Sequence, residues 1–140
     1  MKRRSSMIAA AIIASALAVF TGTASAGDRS PRACENAGVL SRISSGFSHQ
    51  VRNVPHLPNV AISEFRKVHE HRYLPYREDR PIARRYCGAT ALLSDGRKRN
   101  VWYMIEEGQG LAGAFGDNVE FCVSGFDRWF VYNGHCRVLR

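Results

Sequence analysis

The chain has 140 residues, 45% of them hydrophobic and 23% charged, with a formal charge of +8 when histidines are neutral and four cysteines. That length allows one hydrophobic core and not two. No internal repeat or low-complexity tract is present, which excludes repeat architectures.

The first element in chain order is MKRRSSMIAAAIIASALAVFTGTASA, in which Lys2, Arg3 and Arg4 precede an apolar run from Met7 to Phe20 and small residues end at Ala24-Ser25-Ala26. This is the three-part layout of a secretory signal peptide with an A-x-A cleavage site, and the apolar run is too short to span a bilayer well. Cleavage after Ala26 is expected, leaving residues 27–140 as a single small disulfide-stapled domain. No stop-transfer charges follow closely, as an uncleaved anchor requires, and Cys34 follows SPRA, which is not the small-residue setting of a lipid-modified cysteine. Loss of Lys2, Arg3 and Arg4 leaves seventeen basic side chains, fifteen of them arginine, against twelve acidic ones, a net charge of +5. Arginine's flat five-donor fork suits carboxylate and phosphate ligands. These arginines scatter along the chain, as a GC-rich coding sequence also produces.

Ser30-Pro31 reads as a helix start, because serine caps free amides and proline is tolerated at the first helical position. Ala33, Ala37, Leu40, Ile43, Phe47 and Val51 recur every three or four residues and predict a helix over 31–51, weakened by Gly38 and Gly46. Pro55 and Pro58 in NVPHLPN stop it. In VAISEFRKVHEHRYL, Val60 and Ile62 alternate as in a strand, but Phe65 breaks the parity, and Ile62, Phe65, Val68 and Arg72 also fit a helix face. A long, partly exposed strand with a bulge is the preferred reading. PYREDRP is a polar loop. ARRYCGATALL places Cys87, Ala89, Ala91 and Leu93 on one side, a small-residue face suited to close packing against a helix. SDGRKRN turns on Asp95-Gly96. VWYMIEE is a strand with Val101, Tyr103 and Ile105 facing one way and Trp102 and Met104 the other. GQGLAGAFGD connects it to the strand NVEFCVS. WFVY-NG-HCRVL reads as a closing hairpin on Asn133-Gly134, with one of the pairs Trp129/Val131 and Phe130/Tyr132 entering the core. The expected fold is α+β: one N-terminal helix packed on a curled antiparallel sheet of four to five strands, cystatin-like or similar, with two disulfides.

An even cysteine count in a small exported protein reads as disulfides, and four cysteines allow three pairings. No two stand two to four residues apart, which argues against zinc, and no C-x-x-C-H occurs, which excludes c-type haem attachment. Cys122 with Cys136 closes a short loop around Asn133-Gly134 and leaves Cys34 to tie the N-terminal helix to the strand carrying Cys87.

Chemistry-bearing residues are few. His69 and His71 form an H-x-H pair that on a strand begins a metal site, but a third ligand among His49, His56 and Glu70 is not fixed by spacing, and surface histidines are the simpler reading. Gly108-x-Gly110-x-x-Gly113 is not a dinucleotide fingerprint, because a strand rather than a helix follows it. Glu106-Glu107 sit at a strand end, where paired carboxylates are usually solvated. No G-x-S-x-G occurs and oxidised cysteines supply no thiolate, so no catalytic residue is assigned. Arg66-Lys67, Arg84-Arg85 and Arg97-Lys98-Arg99, with Trp102, Tyr103 and Trp129, make an aromatic and cationic set of the kind that binds single-stranded nucleic acid. Export makes nucleic acid an unexpected partner and directs the same set toward an anionic envelope component or an acidic protein. Arg97, Lys98, Arg99, Trp102, Arg84, Arg85 and Trp129 are the binding residues this reading names. No cofactor and no membrane span after cleavage are expected.

At RRYCGATALLSDG, NVEFCVSGFDRW and YNGHCRVLR the chain resembles a group of short exported alphaproteobacterial proteins without an assigned activity. The resemblance implies a periplasmic or secreted location and no particular chemistry. The leading expectation is a non-catalytic binding protein; a small enzyme or metal-dependent protein centred on His69 and His71, and an exported effector of a host-associated bacterium, are the alternatives. The exported form is expected to begin at Gly27, as measured by intact mass or N-terminal sequencing; retention of residues 1–26 would make the leader an anchor.

Overall fold

The computed structural model describes residues 31–111, 113 and 116–140; the leader, the cleavage site and the Ser30 cap lie outside them. A 3-10 turn at Pro31–Glu35 precedes helix α1 (Ala37–Asn53), and four strands follow: β1 (Ile62–Leu74), β2 (Arg84–Leu93), β3 (Lys98–Glu106) and β4 (Asn118–Val123). They form one antiparallel sheet in the order β1-β2-β3-β4. One helix and a four-stranded antiparallel sheet make the fold α+β, as expected.

The helix expected over 31–51 is split in two. Asn36 stands outside the helix with ψ 124°, and its side-chain oxygen accepts from the amides of Gly38 at 2.8 Å and Val39 at 3.3 Å. An asparagine in this position satisfies amides that the first helical turn leaves free, so α1 starts at Ala37 and the preceding turn is free to carry Cys34 toward the sheet. The helix ends at Asn53, two residues before Pro55. Its apolar stripe buries Ile43, Phe47 and Val51, each contributing about 1.5–3 kcal/mol relative to exposure.

The mixed periodicity of 60–74 has a physical cause. Register shifts interrupt the β1–β2 ladder between Ile62 and Glu64, between Arg66 and His69, and between Glu70 and Arg72. Lys67, inside the second shift, has φ +52°. Each extra residue flips the side-chain parity, which returns Phe65 toward the helix-covered face opposite Ala91.

That face is the main core. Cys87, Ala89, Ala91 and Leu93 of β2 and Val101, Tyr103 and Ile105 of β3 are buried against Ile43, Phe47 and Val51. Cys34 bonds to Cys87 across 53 residues, and the buried Tyr103 hydroxyl donates to the Cys34 carbonyl at 2.6 Å. Burial pushes that hydroxyl's pKa far above the ordinary phenol value, so it stays a donor. Gly46 faces the sheet: a Cβ there would stand 2.7 Å from Cε1 of the Phe121 ring.

The expected C-terminal hairpin does not form, and there is no fifth strand among the described residues. Residues 124–136 make a succession of turns, and Arg137–Leu139 is a 3-10 turn. Phe130, Asn133, Gly134, His135 and Cys136 all have positive φ between 52° and 59°, a run of residues outside the β region that no regular ladder accommodates. The Asp127 carboxylate accepts from the amides of Val131 and Tyr132, both at 2.9 Å, removing donors a ladder would need. The pairing Cys122–Cys136 is present, separated by 14 residues. It closes this loop onto β4, and Leu139 and Cys136 bury against Met104 and Cys122 on the face opposite α1.

Gly46→Ala tests the close approach. Alanine is the better helix former, yet its methyl must displace Phe121, so the expected result is a loss of roughly 1–3 kcal/mol, read from urea denaturation. A raised midpoint would contradict the contact.

Candidate functional site

Two of the residues named from sequence, Trp102 and Trp129, sit on different elements, one on β3 and the other in the loop after β4. Trp102 lies on β3 opposite Gly88 and Cys122. It is half-buried and meets the histidines of β1: its ring is 6.4 Å from His69 and 5.3 Å from His71 between centroids, both edge-on. Tyr86 completes the group, 6.2 Å from His71 and under the Arg72 guanidinium at 3.8 Å. Gly88 makes room for it, because a Cβ there would stand 2.8 Å from His69 Cε1 and 3.0 Å from Trp102 Cζ3. His69 Nδ1 lies 2.8 Å from the Lys67 carbonyl, a contact supplied by the bulge at Lys67. The two imidazoles are 6.4 Å apart between centroids, and among the described residues no three His, Cys, Asp or Glu side chains gather where they could hold a metal ion.

Arg84 and Arg85 turn to internal partners. Arg85 is buried, its side chain 4% exposed; its guanidinium pairs with Glu70 and, at 3.4 Å, with Glu107, and lies 4.2 Å over the Tyr73 ring. A buried guanidinium of this kind requires its carboxylates, so Arg85 ties β1 to the end of β3 and presents no cation to a partner. Arg84 Nε donates to Glu106 at 2.9 Å, and Asn118 adds a second bond at 3.1 Å. Partial burial alone would raise the Glu106 pKa, but these two donors bring it below the ordinary carboxylate value. Glu106 and Glu107 are therefore ion-pair acceptors and not a solvated carboxylate pair. The glycine-rich segment joins β3 to β4 and is closed by Gly110 N to Gly116 O at 2.9 Å and Gly108 N to Asp117 Oδ1 at 2.8 Å.

Arg97, Lys98 and Arg99 remain at the β2–β3 hairpin end. Gly96 at φ +80° makes the turn, and Asp95 Oδ1 accepts from the Arg97 amide at 3.0 Å. Arg97 and Lys98 are exposed and Arg99 is partly covered. The Arg97–Asp95 contact is 3.7 Å long and solvent-exposed, which contributes little.

The C-terminal loop adjoins this hairpin. Ser124 N donates to Asn100 O at 2.9 Å, and the Arg99 Nε is 3.7 Å from where a Cβ on Gly125 would lie. Phe126 enters the core edge-on to Phe47 at 4.8 Å, and Gln50 Nε2 of α1 donates to its carbonyl at 3.0 Å. From that anchor the chain projects Trp129, Phe130 and Val131, which are 63%, 69% and 67% exposed. Arg128 stands beside them, also exposed. His56, Leu57 and Pro58 face Arg128, Phe130 and His135 across an open groove of about 400 Å³. Asp127, Phe126 and Phe130 were not singled out by residue type; Asp127 is visible in retrospect as an aspartate placed to accept amides a few residues on.

Gly88→Ala is expected to shift Trp102 fluorescence and the His69 ring resonances while the fold persists; unchanged spectra would mean the notch is not filled as described. His71 carries a second expectation. Partial burial, with Arg72 and His69 as positive neighbours, lowers its pKa below 6.5, while a Leu139 backbone hydrogen bond and Glu70 oppose the shift. A lowered histidine pKa means the fold prefers the neutral ring. Its contribution to stability is then complete above pH 6.5 and is lost as pH falls through the lowered value, which an NMR titration and acid-range denaturation read together.

Comparison with protein-family models, with curated proteins and with solved structures finds no match to this chain.

Proposed function

We propose that this chain is an exported, non-catalytic binding protein, periplasmic or secreted, whose ligand is an anionic component of the envelope. One observation carries the reading: three consecutive large apolar side chains, Trp129, Phe130 and Val131, stand exposed on a stapled loop that adjoins the basic hairpin end Arg97–Lys98–Arg99. Contiguous exposed apolar surface rimmed by polar groups marks interaction sites, and the exposed cations beside it, of which only Arg97 meets a carboxylate among the described residues, at 3.7 Å, select negative partners. The two disulfides support an oxidising location. No helix of the described residues is long and apolar enough to cross a membrane. A helix followed by a four-strand antiparallel meander supports the cystatin-like reading at the level of element order.

A second reading, a metal-dependent protein centred on His69 and His71, is favoured only by the Lys67 carbonyl at His69 Nδ1, a partner of the kind that orients metal-binding imidazoles; Nε2 itself lies in the Gly88 notch. About one metal per chain after purification, lost in His69→Ala or His71→Ala, decides for it.

Charge reversal tests the leading reading. Arg97→Glu, Lys98→Glu and Arg99→Glu together are expected to weaken retention on native envelope fractions at low salt while thermal unfolding changes little, because an exposed turn contributes little to the core. Equal retention at equal salt would move the binding surface elsewhere.

A further inference from the structure

We propose that the Trp129–Val131 loop is an interfacial membrane contact that seats its apolar tip at the boundary between headgroups and acyl chains of an anionic phospholipid surface. The inference rests on the binding reading above and names its ligand class. Four features of the loop point to a lipid surface.

The tip presents three apolar side chains that are consecutive in the chain and 63–69% exposed. Exposed apolar side chains on a loop suit a deformable planar interface, whereas hot spots between proteins fill pockets. Tryptophan is the residue most suited to the headgroup level, with an apolar body and a polar N–H.

Four consecutive amides of the tip, Phe130 to Asn133, are satisfied internally, which lowers the cost of approaching an apolar medium. Phe130 N donates to Asp127 O at 3.2 Å, Val131 N and Tyr132 N to the Asp127 carboxylate at 2.9 Å each, and Asn133 N to Phe130 O at 2.9 Å. The Asp127 carboxylate faces these loop amides, so the acid nearest the tip is engaged within the loop.

The loop is ordered before it meets anything. Phe126 in the core, the Cys122–Cys136 bridge and buried Leu139 hold both of its ends. Preorganisation removes most of the ordering cost of binding.

Cations stand beside the loop and, at Arg128, within it. Arg128 adjoins Trp129 in sequence, Arg99 reaches Gly125, and Lys98 and Arg97 continue along the same hairpin end. Guanidinium groups pair well with phosphate oxygens, and an apolar anchor combined with a basic patch is the two-signal arrangement that gives peripheral membrane attachment.

The test uses the oxidised, exported protein with vesicles of pure phosphatidylcholine and of phosphatidylcholine with phosphatidylglycerol. Sedimentation is expected to show binding to the anionic vesicles that falls with salt, and little to the neutral ones. Brominated acyl chains are expected to quench the tryptophan emission, and Trp129→Phe to abolish that quenching. Replacing Trp129, Phe130 and Val131 by serine together is expected to weaken vesicle binding roughly tenfold or more, with the circular dichroism spectrum unchanged; should that variant fail to fold, Trp129→Glu alone makes the comparison. Absence of vesicle binding, binding indifferent to the tip, or quenching that persists in Trp129→Phe overturns the proposal. If vesicles do not bind but charge reversal at Arg97, Lys98 and Arg99 still lowers retention on envelope fractions, the wider reading stands with an acidic protein as the occupant; if neither responds, both fall.

Discussion

The structure depends first on the covalent tie between Cys34 and Cys87. Both sulfurs are buried in the middle of the helix-covered face, and the Tyr103 hydroxyl of the neighbouring strand holds the Cys34 carbonyl. The bridge fixes the turn before α1 against β2, so the helix must start just beyond it, at Asn36, and run across the small side chains of β2. The bond closes a loop of 53 residues, a constraint worth about 2–4 kcal/mol through the unfolded chain. That is a large share of the 5–15 kcal/mol by which a small domain is stable. Ala89 and Ala91 then lie buried in the same core as the helix stripe, and Gly46 admits the Phe121 ring. The remaining core residues follow from that placement.

The second bridge does different work. The face opposite α1 has no helix; the chain after β4 covers part of it, with Cys136 and Leu139 buried against Met104 and Cys122. The His69, His71 and Trp102 group lies at the edge of that cover on the β1 side, where His71 meets the Leu139 backbone and Trp102 packs on the same cluster. One staple thus organises a core and the other organises a surface, which is why the exposed apolar loop and the half-open aromatic face occur in the same half of the molecule's chemistry.

Much of this was legible in the residues. The small-residue face of β2 and the alternation of Val101, Tyr103 and Ile105 follow from local periodicity, and Cys122–Cys136 from a short closed loop, which leaves Cys34 to Cys87 as the remaining pair. Three features were not. Asn36 outranks Ser30-Pro31 as the visible helix cap because the first turn is held elsewhere by Cys34, a long-range tie no local pattern reveals. Arg85 reads as one of a basic pair, yet it is buried because Glu70 and Glu107 converge on it from two strands. The closing hairpin was misread because Asn-Gly between aromatic residues is a strong turn signal, while Asp127, placed to take the loop's amides, is a single residue with many other uses. For the same reason the candidate site was half legible: the basic hairpin end reads directly from the residues, whereas its contact with the loop after β4, through Ser124 and Gly125, does not.

The conformation of that loop has a cost that bears on its meaning. Phe130, Asn133, His135 and Cys136 are not glycines and sit at positive φ, which disfavours an L-residue by about 1–2 kcal/mol when held there. A loop of such residues left free would relax to ordinary backbone and let Trp129 and Phe130 fold back onto the protein. Phe126 in the core, the Cys122–Cys136 bond and buried Leu139 prevent that, so the fold holds large apolar side chains outward against both local strain and the hydrophobic effect. Positive φ alone does not set this loop apart, since the exposed Leu111 shares it at 44°; the core anchors and the disulfide at its ends do.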